Sequence, residues 1–290
     1  MASRCDILLG PYSTQLMRAA GRMAAESGWL MWNQGGSGDD VEGAHPGHVV
    51  SVLTPTSRYA EPFLHWLASE PGERRVLCIA AGPGSFGRQV ADGAEAIARR
   101  LRIETFRVAA DDQIPPPGMP AGWDLLSAGV FEQDAGLVSQ VLRSAGPPRQ
   151  LCAMAAGVRE FGRVVDDPDG VFGIAQWFPG RGHDAALGPA EGEFLAAYAD
   201  RTGSVPDYPA VQAVAAAVLA CHCVRLAGNT SRAEVWAAAA GLQTSTLFGG
   251  FRIDPASGAQ AEHQTVLVRW TGGECRPVPH GLSDNSQRAS

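Results

Sequence analysis

Short apolar runs alternate with helix-sized segments over the first 157 residues of the chain. Seven of these runs are predicted as β-strands, at residues 5–10, 29–33, 48–53, 74–81, 103–110, 123–129 and 149–157. Segments of helical spacing lie between most of them, at 13–27, 57–69, 86–101 and 132–145. Strands that alternate with helices are the signature of βαβ units and a parallel sheet. The pattern therefore predicts an α/β fold.

The pattern changes in the last third of the chain. Three helical segments are predicted there, at 190–203, 208–228 and 231–242. The third begins with Ser231 and Glu234 in the spacing of a capping box. The runs 249–254 and 263–270 are separated by Gly and Pro and predict a β-hairpin. Residues 272–290 have no periodicity, and we expect them to be disordered.

The composition is typical of a soluble globular protein, with 45% hydrophobic and 18% charged residues. All 23 basic residues are Arg, and the formal net charge is −7. This charge argues against a nucleic-acid partner and against an anionic membrane surface. The longest apolar stretch, 208–228, is mostly Ala and is interrupted by Gln212 and His222. We therefore interpret it as a buried helix and not as a membrane span.

The start of the chain and the cysteines both bear on its compartment. The first residues lead straight into a strand-like run, without the apolar region of a secretion signal. The six cysteines show neither a C-x-x-C pair nor the spacing of a disulfide framework. Scattered thiols of this kind are typical of a reducing environment. We therefore expect a cytoplasmic protein.

Two loops that follow predicted strands carry candidate binding groups. In an open α/β sheet, ligands bind beyond the carboxyl ends of the strands. The residues at these ends are Tyr12, Ser13 and Thr14 after the first strand, and Gly35, Gly36 and Ser37 after the second. Their hydroxyls and backbone amides are suited to receive a carboxylate or another acceptor. The alternative is that Ser13 and Thr14 only cap the following helix, because both residue types are favoured there.

The order of several short motifs gives the chain a family resemblance. The motifs are ILLGPYST, WNQGGSGDD, LTPTSRYAEPFLHWLA, GPGSFGRQVADG, SAGVFEQDAGLVSQV, PDYPAVQAVAAAVLA and STLFGGFRIDPASGAQAEHQTVLVRW. Over residues 5–270 the chain thus resembles the type I periplasmic binding proteins, specifically the branched-chain amino-acid and amide receptors of ABC transporters. The resemblance implies two doubly wound α/β lobes and three crossings between them. It also implies that a small molecule binds in the cleft between the lobes without being transformed.

The resemblance implies the extent of each lobe as well. Lobe one is expected over 1–54 and 183–249, and lobe two over 55–182 and 250–271. Family members normally carry a signal peptide and a further strand–helix–strand–helix block before the strand that matches 5–10, so lobe one is expected to be N-terminally truncated. The apolar strand would then form a sheet edge, and such an edge pairs or aggregates. We expect a homodimer through this edge, or a separate chain that supplies the missing block.

The resemblance assigns residues in both lobes to the ligand. The positions where the family binds the ligand's carboxylate correspond to Ser13, Thr14, Gly36 and Ser37. Phe86 and Phe131 stand where amino-acid receptors often carry Tyr, which makes that wall of the site less polar. Trp177 and Tyr208 are further candidates for stacking against the ligand, and the alternative is that each is a core aromatic residue.

One position departs from the family pattern. The acid that binds the ammonium group of an amino acid would fall at Gly157 or Val158, next to Arg159 and Glu160. Neither of the first two residues is acidic, and this departure disfavours a free α-amino acid. The expected ligand is therefore a small molecule with a carboxylate or an amide group.

The competing interpretation is enzymatic. Gly82, Gly84 and Gly87 follow a predicted strand in the G-x-G-x-x-G spacing of a Rossmann dinucleotide site, and Asp111 ends the next strand, where a ribose-binding acid belongs. This alternative is an oxidoreductase that uses NAD(P) or FAD. Pro83 weakens it, because proline removes one N–H from a loop that would donate such groups to phosphate. An enzyme on the binding-protein scaffold is a further alternative, and the sequence indicates no catalytic residue, cofactor or metal for it.

Overall fold

The computed structural model describes residues 5–71, 75–144, 146–181 and 184–279. The strands are β1 Leu8–Leu9, β2 Met31–Asn33, β3 Val49–Ser51, β4 Val76–Ala81, β5 Glu104–Ala109, β6 Asp124–Ala128, β7 Leu151–Ala153, β8 Phe172–Ala175, β9 Thr244–Thr246, β10 Gly249–Phe251, β11 Val266–Thr271 and β12 Glu274–Pro277. The helices are α1 Thr14–Glu26, α2 Asp40–Gly43, α3 Glu61–Ser69, α4 Gly84–Arg100, α5 Phe131–Leu142, α6 Phe161–Val164, α7 Glu191–Thr202, α8 Tyr208–Ala227 and α9 Arg232–Gly241. The predicted strands and helices of the first 157 residues are confirmed, with ends that differ by a few residues. The exception is the end of the strand predicted over 149–157, where Met154–Gly157 form a 3-10 turn.

The chain folds into two compact units. Unit one comprises Met1–Thr56 and Gln176–Thr265, and unit two comprises Ser57–Ala175 and Val266–Ser290. The chain therefore passes between the units three times. The predicted assignment of residues 55–56, 176–181 and 250–265 to lobe two is wrong, because these segments belong to unit one. Phe251 and Ile253, for example, are buried in the core of unit one.

Unit one is built on a parallel sheet in the strand order β1-β2-β3. Met31 and Val49 pack on one face in a cluster with α1. Trp32 and Val50 pack on the other face in a cluster with α8. Successive residues of a strand point to opposite faces, and so both faces of this sheet are covered. β1 lies at an edge of the sheet, where the sequence predicts it.

The long helix α8 belongs to the core of unit one. Among the described residues it is the one helix that is long and apolar enough to cross a membrane by length and composition. Its residues Val211, Ala215 and Leu219 are buried in the same cluster as Trp32 and Val50. The packing agrees with the prediction of a buried helix.

Unit two is built on a larger sheet, in the strand order β12-β11-β8-β7-β6-β4-β5. The strands from β8 to β5 run parallel, whereas β11 and β12 pair antiparallel at one side. Leu77 and Ile79 of β4 pack in a cluster with α3 and α4. Cys78 and Ala80 pack on the opposite face with α5. Helices therefore cover both faces, which is the doubly wound arrangement that the sequence predicts.

The hairpin predicted over residues 249–270 is reduced to one antiparallel bridge, between Ile253 and Gln260. β10 pairs with β9 in unit one, and β11 pairs with β8 in unit two. A turn does form between the two runs, because Gly258 N donates to the Asp254 carbonyl at 2.7 Å. The two arms then pair with different strands. Turn residues predict a local reversal of the chain, and the partner of each arm is decided by contacts distant in sequence.

Two further predictions for the C-terminal third are wrong. Ser231 is the N-cap of α9, but its side chain makes no capping hydrogen bond. Glu234 accepts a hydrogen bond from Asn229 Nδ2 instead, so the capping box does not form. Residues 274–277, which we expect to be disordered, form β12 against β11. Val278 N also donates to the Leu267 carbonyl at 2.9 Å, and residues 280–290 of the predicted tail lie outside the described residues.

Candidate ligand-binding site

The two candidate loops of unit one lie side by side. Ser13 is the N-cap of α1, with a backbone φ of 119°, and its N–H donates to the Gly35 carbonyl at 3.0 Å. Gly35 and Gly36 permit this approach, because a Cβ at either position would lie 2.6 Å from an atom of Tyr12 or of Met17. Glycine is required where backbones approach this closely. The glycine-rich sequence after β2 is therefore a packing requirement of these loops.

A buried network holds the backbone of the second loop. Asn33 Oδ1 accepts hydrogen bonds from Gly36 N at 2.8 Å and from Gly35 N at 3.2 Å. Asn33 Nδ2 donates to the Gly36 carbonyl at 2.6 Å and to Glu42 Oε1 at 2.9 Å. Ser51 Oγ donates to the same Glu42 oxygen. The prediction that the amides of Gly35 and Gly36 receive the ligand is wrong, because Asn33 already accepts from both.

The carboxyl group in this network is buried without a cation. Glu42 is 4% exposed, and no Arg or His lies within ion-pair distance of it in the described part of the chain. Burial raises the pKa of Glu42 to about 7. The hydrogen bonds from Ser51 and Asn33 act in the opposite direction, and the nearby negative charge of Asp39 raises the pKa further. The group therefore changes its charge near neutral pH.

The hydroxyl groups of the two loops have their oxygen atoms engaged as acceptors. The bonds are Leu16 N to Ser13 Oγ at 3.3 Å, Gly38 N to Thr14 Oγ1 at 3.2 Å and Thr56 Oγ1 to Ser37 Oγ at 2.9 Å. In the described part of the chain, the hydroxyl hydrogens of Ser13 and Thr14 have no acceptor. Thr56 Oγ1 also lies 2.7 Å from the Ser37 carbonyl oxygen. The Thr56 hydroxyl has one hydrogen, so it donates either to this carbonyl or to Ser37 Oγ. The Ser37 hydroxyl can therefore rotate. The loops thus offer O–H donors for a carboxylate or carbonyl oxygen.

Tyr208 joins these loops from the start of α8. Its hydroxyl lies 2.9 Å from that of Tyr12, and one phenol donates to the other. Tyr12 is 52% exposed and directly precedes Ser13. One hydrogen-bonded group of loops therefore contains six of the predicted site residues, namely Tyr12, Ser13, Thr14, Gly36, Ser37 and Tyr208. Ser13 also caps α1, so the capping alternative holds for that residue alongside any binding role.

Trp177 does not join that group. It is 3% exposed and packs in the core of unit one with Trp32 and Val211. The interpretation of Trp177 as a ligand wall is therefore wrong, and the alternative of a core aromatic residue is confirmed. Its buried Nε1 has no hydrogen-bond partner among the residues that the structure describes.

Unit two presents its two candidate phenylalanines after β4 and β6. Phe86 lies in the first turn of α4, is half-buried and meets Tyr59 edge-on at a centroid distance of 5.8 Å. Phe131 begins α5 and meets Phe161 edge-on at 6.3 Å. Both residues are half-buried. Contact of either ring with a ligand stays a prediction.

A second buried carboxyl group organises the loop that carries Phe131. Asp134 is fully buried and accepts hydrogen bonds from Ser127 Oγ at 2.6 Å, Gly129 N at 2.8 Å and Ala155 N at 2.8 Å. Burial raises its pKa to about 7, although these bonds favour the charged form. The bonds join the loop after β6 to the 3-10 turn Met154–Gly157 after β7.

The structure gives a physical reason for the missing acid. A Cβ at Gly157 would lie 2.0 Å from the carbonyl oxygen of Ile174, so this backbone admits no side chain there. Glu160 is exposed, and its Oε2 accepts a hydrogen bond from Arg163 at 2.8 Å. The acid nearest in sequence is thus already paired.

The glycine spacing after β4 also has a packing explanation. A Cβ at Gly87 would lie 2.3 Å from the carbonyl oxygen of Gly82, so glycine lets α4 approach the strand end. Gly84 begins α4 with a φ of 92°, directly after Pro83, which has no N–H to donate. Asp111 is exposed beyond β5. These contacts account for the motif without a bound phosphate.

Sequence reasoning missed the groups that hold the loops, which are Asn33, Glu42, Ser51 and Asp134. A polar residue at the end of an apolar strand was the available signal for Asn33 and Ser51. Glu42 follows two exposed acids and resembles part of a solvated run. No group of three His, Cys, Asp or Glu side chains that could hold a metal ion occurs among the described residues.

Comparison with known proteins identifies the fold. An ABC transporter substrate-binding protein from Desulfitobacterium hafniense in complex with Leu superposes with a TM-score of 0.78 at 16% identity, covering 94% of this chain and 80% of that one. The leucine-binding protein LivK from Thermotoga maritima gives 0.77 at 14% identity, with 96% and 80% covered. A solute-binding protein from Rhodopseudomonas palustris in complex with 3,4-dihydroxy benzoic acid gives 0.73 at 15% identity, with 96% and 78% covered.

The sequence itself decides the family. No curated protein matches it significantly. A sequence model described as periplasmic binding protein matches residues 2–274, which is nearly the whole chain. The two compact units agree with the two lobes that the resemblance implies. The chain therefore belongs to the periplasmic binding protein family.

Proposed function

We propose that this protein binds a small molecule, without transforming it, through a carboxylate or amide oxygen that accepts from Ser13, Thr14 and Ser37. One observation carries the proposal. Two adjacent loops present hydroxyls whose oxygens already accept from the protein, so the hydrogens of Ser13 and Thr14 are left to donate. Hydrogen bonds from hydroxyls to a carboxylate are short and about twice as strong as neutral ones.

The start of α1 supports an anionic group at this place. The N-terminus of a helix carries a partial positive charge and N–H groups without helical acceptors. α1 has 13 residues and no acidic residue in its first turn, so no carboxylate of that turn opposes an anion. The helix and the hydroxyls favour the same ligand group.

The ligand's remaining chemistry is inferred from unit two and from similar proteins. Phe86 and Phe131, which the resemblance assigns to the ligand, favour an apolar or aromatic body. Of the two expected ammonium-binding positions, Gly157 has no room for a side chain and Val158 carries an apolar one. Among the similar structures, one is in complex with Leu and another with 3,4-dihydroxy benzoic acid. We therefore rank aromatic and aliphatic carboxylic acids above free α-amino acids for this chain.

A thermal-shift screen tests the proposal. The set compares benzoate, 3,4-dihydroxybenzoate, isovalerate, leucine, isoleucine and benzamide, because a compound that binds only the folded state raises the melting temperature. We expect an acid without an α-amino group to give the largest shift. The double variant Ser13→Ala/Ser37→Ala should weaken that binding by about tenfold or more, from the loss of bonds to a charged acceptor.

Ser204→Ala is the matched control, because Ser204 is an exposed serine elsewhere in unit one. It should bind the same acids as the wild type. An unchanged shift in the double variant would place the ligand elsewhere. A screen in which no acid, amino acid or amide stabilises the protein would refute the binding function.

We further propose that a second copy of the chain covers an apolar face of unit one. This β1–α1 face consists of Leu9, Leu16 and Met23, which are 46%, 56% and 50% exposed. It adjoins the free edge of β1, and an open apolar edge favours association. A two-fold axis lets such a face cover itself, and two-fold dimers are the commonest closed assemblies.

Light scattering tests the association. We expect the wild type to be a dimer, and Leu16→Glu or Met23→Lys to be monomeric and folded, because both side chains are exposed on α1. Leu226→Glu is the control, since Leu226 is 58% exposed on α8 and lies outside the β1–α1 face. A wild-type protein that stays monomeric at high concentration would contradict the proposal.

A further inference from the structure

Glu42 connects the candidate site to a buried ionisable group. It lies on α2, and its Oε1 receives hydrogen bonds from Ser51 and from Asn33. Asn33 in turn holds the backbone of Gly36 from both sides, accepting from its N–H and donating to its carbonyl. Residue 36 directly precedes Ser37, whose hydroxyl is assigned to the ligand. The side chain of Asn33 therefore connects the carboxyl group of Glu42 to the loop that carries Ser37.

The surroundings of Glu42 do not neutralise that charge. The titratable residues of α2, its flanks and the neighbouring α1 are Arg18, Arg22, Glu26, Asp39, Asp40, His45 and His48. Arg18 is engaged with Asp40 at 2.7 Å. His48 Nδ1 lies 2.9 Å from the Trp29 carbonyl. The nearby charge of Asp39 is negative and raises the pKa of Glu42 further.

A ligand carboxylate would add a second negative charge to this region. A second negative charge near a buried carboxyl group raises the pKa of that group, because like charges repel. A ligand acid stays ionised when it accepts from hydroxyls and a helix N-terminus, because these groups favour its charged form. The proton is therefore expected at the buried carboxyl group.

We propose that Glu42 takes up a proton from solvent when an anionic ligand binds at Ser13, Thr14 and Ser37, so that the protein binds carboxylates together with a proton. The inference rests on the proposed binding function and specifies its regulation by pH. The balance is simple: the ligand enters as an anion, one proton leaves the buffer, and the carboxylate of Glu42 becomes a neutral acid. In the neutral state one Glu42 oxygen still accepts from Asn33, so the loop keeps its support.

The pH dependence follows by linkage. Above neutral pH the free protein holds Glu42 mostly as the anion, since burial places its pKa at about 7. Binding then requires proton uptake, and the dissociation constant of a carboxylate rises with pH. We expect benzoate to bind up to about tenfold more weakly at pH 8.5 than at pH 6, the size of one pKa unit. Benzamide, which has the same shape and no charge, should show no such change.

Calorimetry in two buffers measures the proton directly. Benzoate is titrated into the full chain at pH 7.5 in phosphate and in Tris, whose ionisation enthalpies differ, and the difference in heat gives the number of protons taken up. We expect an uptake between zero and one for the wild type and none for Glu42→Gln. Glu26→Gln, which changes an exposed acid on α1, should keep the wild-type uptake.

Each result decides a different point. Benzoate binding without proton uptake would overturn the inference and leave the binding function intact. An uptake that persists in Glu42→Gln and disappears in Asp134→Asn would assign the proton to unit two, which also overturns it. If Glu42→Gln does not fold, the wild-type comparison of benzoate with benzamide across pH decides alone. A protein that binds none of the screened acids or amides at pH 6 would refute both the function and the inference.

Discussion

The two units differ in how much sheet supports their loops. In unit two, β4, β6, β7 and β8 each have a neighbour on both sides. In unit one, the parallel sheet is β1-β2-β3, and β1 contributes only Leu8–Leu9 at an edge. Unit two therefore encloses its central strands between other strands of the same sheet. Unit one leaves the β1–α1 face exposed, and this face is where we expect a second copy.

The units also differ in how a buried carboxyl group holds a loop. Asp134 in unit two accepts directly from the backbone N–H groups of Gly129 and Ala155. Glu42 in unit one reaches its loop only through the side chain of Asn33. The direct arrangement makes Asp134 part of the framework. The relayed arrangement lets Glu42 change its charge while Asn33 keeps the loop in place.

Removing the direct carboxyl group should have the largest effect. Asp134→Ala leaves the buried donors of Ser127, Gly129 and Ala155 without their acceptor, and we expect a loss of about 3–5 kcal/mol in the free energy of unfolding. Denaturant titration measures this. Glu132→Ala, at an exposed position of the same helix, should change it by less than about 0.5 kcal/mol. Equal effects of the two variants would show that Asp134 is not a framework group.

The pH dependence of stability should sharpen the comparison. The pKa values of Glu42 and Asp134 are about 7 in the folded protein, against 4.5 and 3.8 for the ordinary groups. Between pH 5 and pH 8 the folded state thus binds more protons than the unfolded state, and the free energy of unfolding falls as pH rises, by up to about 3 kcal/mol per group. Glu42→Gln should be as stable as the wild type at pH 5 and more stable at pH 8. A free energy of unfolding that rises between pH 5 and pH 8 would contradict the raised pKa values of both groups.

Removing the side chain of Asn33, which links Glu42 to the loop, should reduce the free energy of unfolding less than removing Asp134. Asn33→Ala removes the acceptor of Gly36 N and the donor to Glu42, and we expect a loss of about 2–3 kcal/mol in stability. It should also weaken benzoate binding, because the loop that carries Ser37 loses its support. Gln15→Ala, at an exposed position on α1, serves as the control. Unchanged benzoate affinity in Asn33→Ala would separate the network from the site.

The smallest expected effect concerns the phenol pair. Tyr12→Phe removes the hydrogen bond to Tyr208, and because Tyr12 is 52% exposed we expect a loss of less than about 1 kcal/mol. The melting temperature measures it. A loss of several kcal/mol would mean that the pair, and not the bond between Ser13 and Gly35, holds the β1–α1 loop.

The sequence predicted local features of the fold better than long-range ones. Alternating apolar runs locate the strands, and the hydroxyl residues after β1 and β2 do lie together. The pairing of β11 with β8 and the burial of Trp177 depend on contacts distant in sequence, so no local pattern contains them. The network around Glu42 was missed for the same reason, since its members come from β2, α2 and β3.

A crystal structure of the protein with benzoate tests the central claim most directly. The account predicts the carboxylate at the start of α1, with its oxygens about 2.5–2.7 Å from the hydroxyls of Ser13 and Ser37. The hydroxyl of Thr14 should donate to the same group. A carboxylate bound elsewhere, with these hydroxyls donating to the protein itself, would contradict the account.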